Sequence, residues 1–174
     1  SNYYGALGRH HLGFTLSDPM GITRRNFIKS TTIIIVGGFM ATDHFTDKEL
    51  ECSCCGVSTM QPQFMETLEK IRVEMNRPLF LSSSFRCSKR NQEVSSTGPN
   101  GPHTNHGHGG QACDILISGA DALRLVEVAK KFGMTGIGVK QNGPAGKRFI
   151  HLDNLGSEYT KLTGGPRPWI WSYA

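Results

Sequence analysis

Residues 101–114 read Gly-Pro-His-Thr-Asn-His-Gly-His-Gly-Gly-Gln-Ala-Cys-Asp, a glycine-rich loop with three histidines that runs into an aspartate. The loop histidines are His103, His106 and His108. The aspartate is Asp114, and it lies on a predicted strand over residues 112–117. Neutral imidazoles and one carboxylate form a donor set that suits zinc. Taken alone, such a loop is better explained as a solvated surface turn.

A second motif, Phe-Ile-His-Leu-Asp at residues 149–153, follows later in the chain. In an extended strand His151 and Asp153 point to the same face, because side chains alternate along a strand. One of them can therefore ligate a metal while the other orients or assists it. Taken alone, His151 is better explained as a hydrogen-bonded core histidine. The histidine loop, Asp114 and this strand together predict a metal site.

The helical patterns around these motifs predict where the core packs. Thr46-Asp47-Lys48-Glu49 is a capping box that begins a short helix. Longer helices are predicted over residues 61–76 and 121–132, and Gly133 ends the second of them. Their apolar positions are Phe64, Leu68, Ile71 and Met75 in the first, and Leu123, Val126 and Ala129 in the second. Each helix therefore presents an apolar face to a core.

Four strands complete the predicted fold. They cover residues 79–83, 112–117, 136–139 and 148–152. The last two are expected to form a hairpin, because the turn sequence Gln141-Asn142-Gly143 lies between them. The sequence therefore predicts an α+β fold in which a small, mostly antiparallel sheet is flanked by helices.

Composition limits the classes of protein to which the chain can belong. A length of 174 residues favours one domain, and 37% hydrophobic with 19% charged residues excludes disorder and a polytopic membrane protein. The net charge of +5 suits an acidic surface or polymer as partner. No lysine- or arginine-rich run is present, so nucleic acid is not an expected partner. We expect a monomer.

The first part of the chain differs from the rest, and we place a boundary near Thr42. Within residues 1–41, the segment Thr23-Arg24-Arg25-Asn26-Phe27-Ile28-Lys29 precedes an uncharged stretch over residues 30–42. This arrangement resembles a twin-arginine export signal. The stretch is too short to span a bilayer as a stable helix. Its β-branched core, residues 31–36, is also compatible with a plain buried strand.

Several motifs of the remaining domain resemble one family. In chain order they are Leu-Ser-Ser-Ser-Phe-Arg-Cys at 81–87, Asn91, Val-Ser-Ser-Thr-Gly at 94–98, Gly-Pro-His-Thr at 101–104, Gly-Gln-Ala-Cys-Asp-Ile at 110–115, residues 149–153, and Arg-Pro-Trp-Ile-Trp-Ser-Tyr at 167–173. Together they resemble the zinc D-Ala-D-Ala carboxypeptidases, which include peptidoglycan peptidases of bacteria and phages and share a metal fold with hedgehog domains. The resemblance runs from about His44 to Tyr173. It implies that residues 42–174 form a zinc peptidase-like domain.

The resemblance also implies a set of zinc ligands. The family uses one loop histidine, the aspartate that matches Asp114 and the histidine that matches His151. The Gly-Pro-His-Thr motif points to His103 as the loop ligand. The family spacing, with the histidine seven residues before the aspartate, falls between His106 and His108. His106 also has Thr104 two residues ahead, as in the family's Ser-x-His, so His106 and His103 are the main alternatives and His108 is the third.

Two catalytic residues follow from the same resemblance. Arg86 matches an arginine that contacts substrate and meets negative charge in the transition state. Many members carry an acid three residues before the ligating histidine, where this chain has Arg148. Because an arginine cannot accept a proton from water, Asp153 is the nearest candidate for the general base, or else it orients the metal site.

The expected function is therefore zinc-dependent hydrolysis of peptide bonds in peptidoglycan stem peptides, of the D-Ala-D-Ala carboxypeptidase or endopeptidase type. The alternative is a non-catalytic, zinc-containing domain that binds the cell wall or has a structural role. Arg148 and the irregular histidine spacing favour that alternative. We expect a periplasmic or envelope location, or else a phage protein in the host cytoplasm that starts at Met40.

The five cysteines are odd in number, so they cannot all pair within one chain. Cys52, Cys54 and Cys55 cluster in sequence, but no fourth ligand is evident at the spacing of a zinc finger. We therefore expect a disulfide or a packing role for this cluster. Cys113 is expected to face away from its neighbour Asp114.

Overall fold

The computed structural model describes residues 42–104, 108–157 and 165–174. Its elements, in chain order, are α1 (Asp47–Leu50), α2 (Pro62–Met75), β1 (Phe80–Ser83), α3 (Ser88–Val94), β2 (Ala112–Leu116), α4 (Ala120–Lys131), β3 (Gly136–Lys140), β4 (Phe149–Asp153) and β5 (Trp169–Ser172). The twin-arginine-like segment lies outside the described residues. The boundary near Thr42 therefore stays a prediction.

The strands form one five-stranded sheet in the order β1-β2-β4-β3-β5. The β1/β2, β2/β4 and β3/β4 pairs are antiparallel, and the hairpin predicted between β3 and β4 is confirmed. The β3/β5 pair is parallel. The α+β class is confirmed, but the expectation of a mostly antiparallel sheet needs correction, because β5 makes the sheet mixed.

The helices bury the apolar residues that their periodicity predicted, with one exception. Phe64, Leu68, Ile71 and Met75 of α2 are all buried in the core. In α4 the buried side chains are Ala122, Leu125, Val128 and Ala129. Leu123 is 64% exposed, so its expected place on the buried face is wrong. The buried face of α4 is centred on Leu125, and Leu123 lies off it.

The short elements and helix ends test the predictions made from local sequence motifs. The capping box of α1 is present, with the Thr46 hydroxyl accepting from the Glu49 N–H and the Glu49 side chain accepting from the Thr46 N–H. Gly133 follows α4 with φ +87°, as a residue that ends a helix should. The predicted elements did not include α3 or β5. Among the described residues, no helix is long and apolar enough to cross a membrane.

The sheet separates the hydrophobic core from a polar face. Ile150 and Leu152 of β4 lie in the core, as does Cys113 of β2. Because side chains alternate, His151 and Asp114 extend from the other face. Cys113 therefore faces away from Asp114, as predicted.

Candidate metal centre

Two neighbouring strands bring Asp114 and His151 together. These residues pair directly across β2 and β4, so their side chains leave the same face of the sheet. His151 Nδ1 lies 2.8 Å from Asp114 Oδ1. Both side chains are at least nine-tenths buried. Strand register alone thus brings together two of the three residues of the centre.

The loop after α3 adds His103. Its carbonyl accepts from the Arg86 N–H at 3.1 Å, which ties the loop to the end of β1. His103 Nδ1 lies 2.6 Å from the Ser84 carbonyl oxygen, so this nitrogen must be the protonated donor. The free Nε2 then points inward, 3.3 Å from His151 Nδ1 and 3.5 Å from Asp114 Oδ1.

The structure distinguishes between His103 and His108, the two loop histidines that it describes. His103, Asp114 and His151 form a buried group whose ligand atoms all lie within 4.8 Å of one another. His108 is exposed and is not in this group. His106 lies outside the described residues. Of the described loop histidines, His103 is the one brought to the centre.

Burial and charge act in opposite directions on the titration of the three residues. Burial lowers the pKa of His103 and favours its neutral form. Burial alone would raise the pKa of Asp114, but its interactions with His103 and His151 outweigh this and hold it well below the usual range. Burial would also lower the pKa of His151, yet hydrogen bonds with Asp114 and Asp153 raise it to about 9. The carboxylates of Asp114 and Asp153 thus favour the protonated, positively charged form of His151.

Asp153 is a fully buried support for His151. Its Oδ2 lies 3.2 Å from His151 Nε2. Arg167 donates to both of its oxygens, at 2.8 and 2.7 Å. Burial would raise the pKa of Asp153, but the hydrogen bonds from His151 and Arg167 outweigh this effect and lower it. Its carboxylate is therefore ionised and its oxygens are already engaged.

Arg86 approaches the centre from the end of β1. One guanidinium nitrogen donates to Asp114 Oδ2 at 2.6 Å, and Nε donates to the Ser83 hydroxyl at 2.8 Å. Its side chain is 16% exposed, so it is held in place but still reaches solvent. Arg86, which was predicted to meet negative charge on the substrate, thus lies next to Asp114 and the two histidines of the centre.

The centre opens into a cavity of about 810 Å³. Its lining includes Arg86, His103, Asp114, His151, Arg167, Trp171 and Tyr173. The ring of Trp171 lies 5.2 Å from that of His151, so β5 supplies an aromatic wall.

Two glycines of β3 make room for this wall and for Asp153. A Cβ at Gly138 would lie 2.7 Å from a ring carbon of Tyr173 and 2.8 Å from Trp171. A Cβ at Gly136 would lie 2.1 Å from Asp153 Oδ2. Only a residue without a side chain fits at either position.

Comparison with known families agrees with this geometry. A sequence model of the peptidase M15 family matches residues 43–153, which hold all three residues of the centre. The chain belongs to the peptidase M15 family. M15 peptidases are zinc-dependent metallopeptidases, and the resemblance to zinc D-Ala-D-Ala carboxypeptidases is thereby confirmed. No curated protein matches the chain.

The three residues of the M15 centre fit a zinc ion. Two imidazole nitrogens and one carboxylate oxygen are ligands that zinc takes in catalytic sites. Bonds of about 2.0–2.1 Å to a tetrahedral ion separate ligand atoms by about 3.3 Å. The observed separations among His103, Asp114 and His151 are 2.8, 3.3 and 3.5 Å. The group also borders the cavity, which leaves one side accessible to solvent.

Arg148 occupies the position at which many M15 members carry an acid, and its side chain contacts the hairpin loop. Its Nε donates to the Gly143 carbonyl at 2.9 Å, and it does not line the cavity. Asp153 does not line the cavity either. Among the described lining residues, Asp114 is the single one with a carboxylate side chain.

Sequence reasoning missed the roles of Arg167, Trp171 and Ser84. Arg167 and Trp171 lie in the motif at 167–173 that carried the family resemblance, yet no role was assigned to them. A charged residue directly before a tryptophan-rich strand was the available signal. Ser84 acts through its backbone carbonyl. Every residue has this group, so the sequence gives no signal for the role.

Proposed function

We propose that this M15 domain is a zinc-dependent peptidase that hydrolyses peptide bonds in peptidoglycan stem peptides, of the carboxypeptidase or endopeptidase type. The observation that carries the proposal is the buried His103–Asp114–His151 group at the wall of an open cavity. These three residues would hold the zinc ion. When bound, zinc supplies Lewis acidity, which lowers the pKa of water toward neutrality and polarises a carbonyl.

The surrounding residues hold the ligands in their binding state. The Ser84 carbonyl fixes His103 in the tautomer whose Nε2 is free. Asp153 accepts from His151 Nε2 and leaves His151 Nδ1 free toward Asp114. We assign Asp153 to this positioning role rather than to the general base, because its oxygens are buried and bound by Arg167.

We assign to Arg86 the role of binding negative charge on the substrate. Its guanidinium has five N–H donors, and its hydrogen bonds to Ser83 and Asp114 leave others for the cavity. A guanidinium at this place can donate to a peptide carboxylate or to the oxyanion that develops on an attacked carbonyl.

The residues that line the cavity are suited to a peptide substrate with carboxylate groups. Trp171 and Tyr173 provide an apolar wall, and Lys140 adds a cation at the lining. Burial and the nearby Asp114 charge raise the pKa of Tyr173 to about 12, so its hydroxyl stays protonated. Stem peptides end in carboxylates and are part of an anionic polymer, which agrees with the net charge of +5.

Zinc content together with product analysis tests this assignment. The full chain is incubated with purified peptidoglycan, and the muropeptides are identified by mass spectrometry. We expect loss of terminal residues or of cross-links, and the site of cleavage distinguishes the two peptidase types. His103→Ala, Asp114→Ala and His151→Ala should each remove one equivalent of zinc and all cleavage.

His108→Ala is the matched control, because it removes an exposed imidazole from the same loop. It should retain zinc and turnover, and His106→Ala should do the same. Retention of the full wild-type zinc content in the Asp114 variant, or loss of one equivalent in the His108 variant, would contradict the ligand assignment.

A second candidate function is a zinc-containing domain that binds the cell wall without cleaving it. Two observations favour it: Arg148 contacts the hairpin loop, and Asp114 is the single described lining residue with a carboxylate side chain. A protein that retains zinc and sediments with peptidoglycan, but releases no amino groups, would support this function in place of the first.

The envelope location also stays a proposal, supported by the twin-arginine-like segment and by a substrate that lies outside the inner membrane. Residues 1–41 are fused to a reporter that functions only after export in the folded state. We expect export that is lost when Arg24 and Arg25 are changed to lysine. A reporter that stays inside would favour the phage alternative.

A further inference from the structure

Three of the five cysteines converge where the segment after α1 contacts the N-terminus of α3, and a fourth, Cys54, lies beside them. The sulfurs of Cys52, Cys55 and Cys87 all lie within 4.8 Å of one another. Cys54 lies outside this group of three, but its side chain is close enough to Cys87 for that thiol to raise the pKa of Cys54. All of these cysteines are free thiols in the structure, and the fifth, Cys113, is buried in the core. Cys87, which is distant along the chain, thus joins the cysteines at positions 52–55.

The segment from Cys52 to Val57 has the form of a metal-binding turn. The Gly56 N–H donates to the Cys52 carbonyl at 2.9 Å, and the Cys52 N–H donates to the Val57 carbonyl at 2.8 Å. Gly56 has φ +68°, and a Cβ there would meet nothing within 4 Å. Glycine is therefore required for its backbone conformation and not for space. The turn places Cys52 and Cys55 in the Cys-x-x-Cys spacing of structural zinc sites.

Backbone N–H groups surround the innermost sulfur. The Cys87 N–H donates to Cys52 Sγ at 3.3 Å. The N–H groups of Cys54 and Cys55 also hydrogen-bond to this sulfur. Such donors stabilise a metal-bound thiolate, as outer-shell hydrogen bonds do in other metal sites.

A disulfide does not account for this arrangement. One disulfide would join two of the three converging sulfurs and leave the third without a bond. A tetrahedral zinc ion with Zn–S bonds of about 2.3 Å places its sulfurs about 3.8 Å apart, which agrees with the observed convergence.

We propose that Cys52, Cys55 and Cys87 bind a second, structural zinc ion, with Cys54 as the fourth ligand. On binding, each thiol releases its proton to solvent and each sulfur forms one bond to zinc. No electron is transferred.

The consequence for the catalytic face comes through Arg86, which directly precedes Cys87. A metal at Cys87 fixes the start of α3 against the turn after α1. The adjacent Arg86 is then held at the cavity from both sides, by the metal-bound Cys87 and by its own bonds to Ser83 and Asp114. The second zinc would thus support the position of the substrate-binding guanidinium.

The test counts zinc in the full chain, purified from zinc-containing medium without chelator. We expect two equivalents in the wild type and one in Cys87→Ser. Asp114→Ala should also retain one equivalent, which separates this site from the centre proposed for catalysis. Cys113→Ser is the matched control, since it removes a thiol outside the cluster and should retain two equivalents.

A spectroscopic measurement on the wild type covers the case in which Cys87→Ser does not fold. Cobalt bound by thiolates gives an intense sulfur-to-metal charge-transfer absorption, and a site of imidazoles and a carboxylate does not. We expect this absorption in the cobalt-loaded wild type and in Asp114→Ala. Its absence from both, or a disulfide within the cluster seen by non-reducing mass spectrometry, would overturn the proposal. A chain that shows the absorption but cleaves no peptidoglycan would refute only the peptidase assignment.

Discussion

The ion pair between Arg167 and Asp153 gives the sharpest prediction for stability. Both side chains are almost fully buried, with 3% of Arg167 and none of Asp153 exposed. The change Arg167→Met keeps an unbranched apolar stem but removes two charge-assisted hydrogen bonds. The remaining hydrogen-bond partners of Asp153 would then be His151 Nε2, at 3.2 Å, and the Leu155 N–H, at 3.3 Å.

The expected cost is large, because the change leaves a buried carboxylate without its arginine counter-charge. Removal of one partner of a buried pair costs about 3–5 kcal/mol. A domain of this size has a free energy of unfolding of about 5–15 kcal/mol, so the variant should lose a substantial fraction of it. With a urea m-value of about 2 kcal/mol/M, the unfolding midpoint should fall by about 2 M.

Urea unfolding, followed by circular dichroism in excess chelator, measures this loss without a contribution from metal occupancy. The matched control is Arg77→Met, which removes the partner of Asp121 in a pair of half-exposed side chains. Such a surface pair contributes about 0–1 kcal/mol. If Arg167→Met costs no more than Arg77→Met, the Asp153 carboxylate is not held as described. Addition of Asp153→Asn to Arg167→Met should recover much of the loss, because a neutral amide then replaces the unpaired Asp153 carboxylate.

Four further changes test other parts of the site. Arg86→Ala should retain zinc and lower turnover by about 10²–10³, the effect of losing one oxyanion donor; unchanged turnover would remove Arg86 from the mechanism. Asp153→Asn should weaken zinc binding by about 10–100-fold with a comparable or smaller loss of activity, whereas abolished activity at full zinc occupancy would identify a base. Gly138→Ala should displace the β5 rings and cost about 1–3 kcal/mol in thermal unfolding, and an unchanged melting temperature would contradict the close approach. The raised pKa of Tyr173, about 12, means that its contribution to stability is present below pH 10 and is lost as the pH rises toward 12; an ultraviolet titration compared with Tyr173→Phe should show one tyrosine missing from the latest phase.

Much of the fold could be predicted from sequence because its signals are local. The apolar spacing in α2, the capping box at Thr46 and Glu49, and the turn between β3 and β4 each report on neighbouring residues. Strand β5 has no such signal, since its parallel partner β3 is distant along the chain. Leu123 was misplaced because its helix offers more than one apolar stripe, and the packing against β4 and α2 selects among them.

The candidate site was predictable in its residue types more than in its geometry. Asp114 and His151 lie opposite each other as a result of strand register, and the strand pattern indicated both. The choice of His103 over His108 depends on the Ser84 carbonyl, a backbone group to which residue type gives no access. The engagement of Asp153 by Arg167 likewise depends on where β5 joins the sheet.

The position of β5 at the edge of the sheet has a consequence for how the molecule opens. Its pairing is parallel and one-sided, and Trp169 and Ile170 are 44% and 63% exposed. Edge pairing of this kind is less protected than the central β2/β4 ladder, so β5 should exchange its amide hydrogens through partial unfolding while the core stays intact. Each such opening uncovers Asp153 and removes the aromatic wall while leaving the ligand strands paired. Trp171 on β5 and Arg167 just before it therefore have a lower local stability than the ligands on β2 and β4.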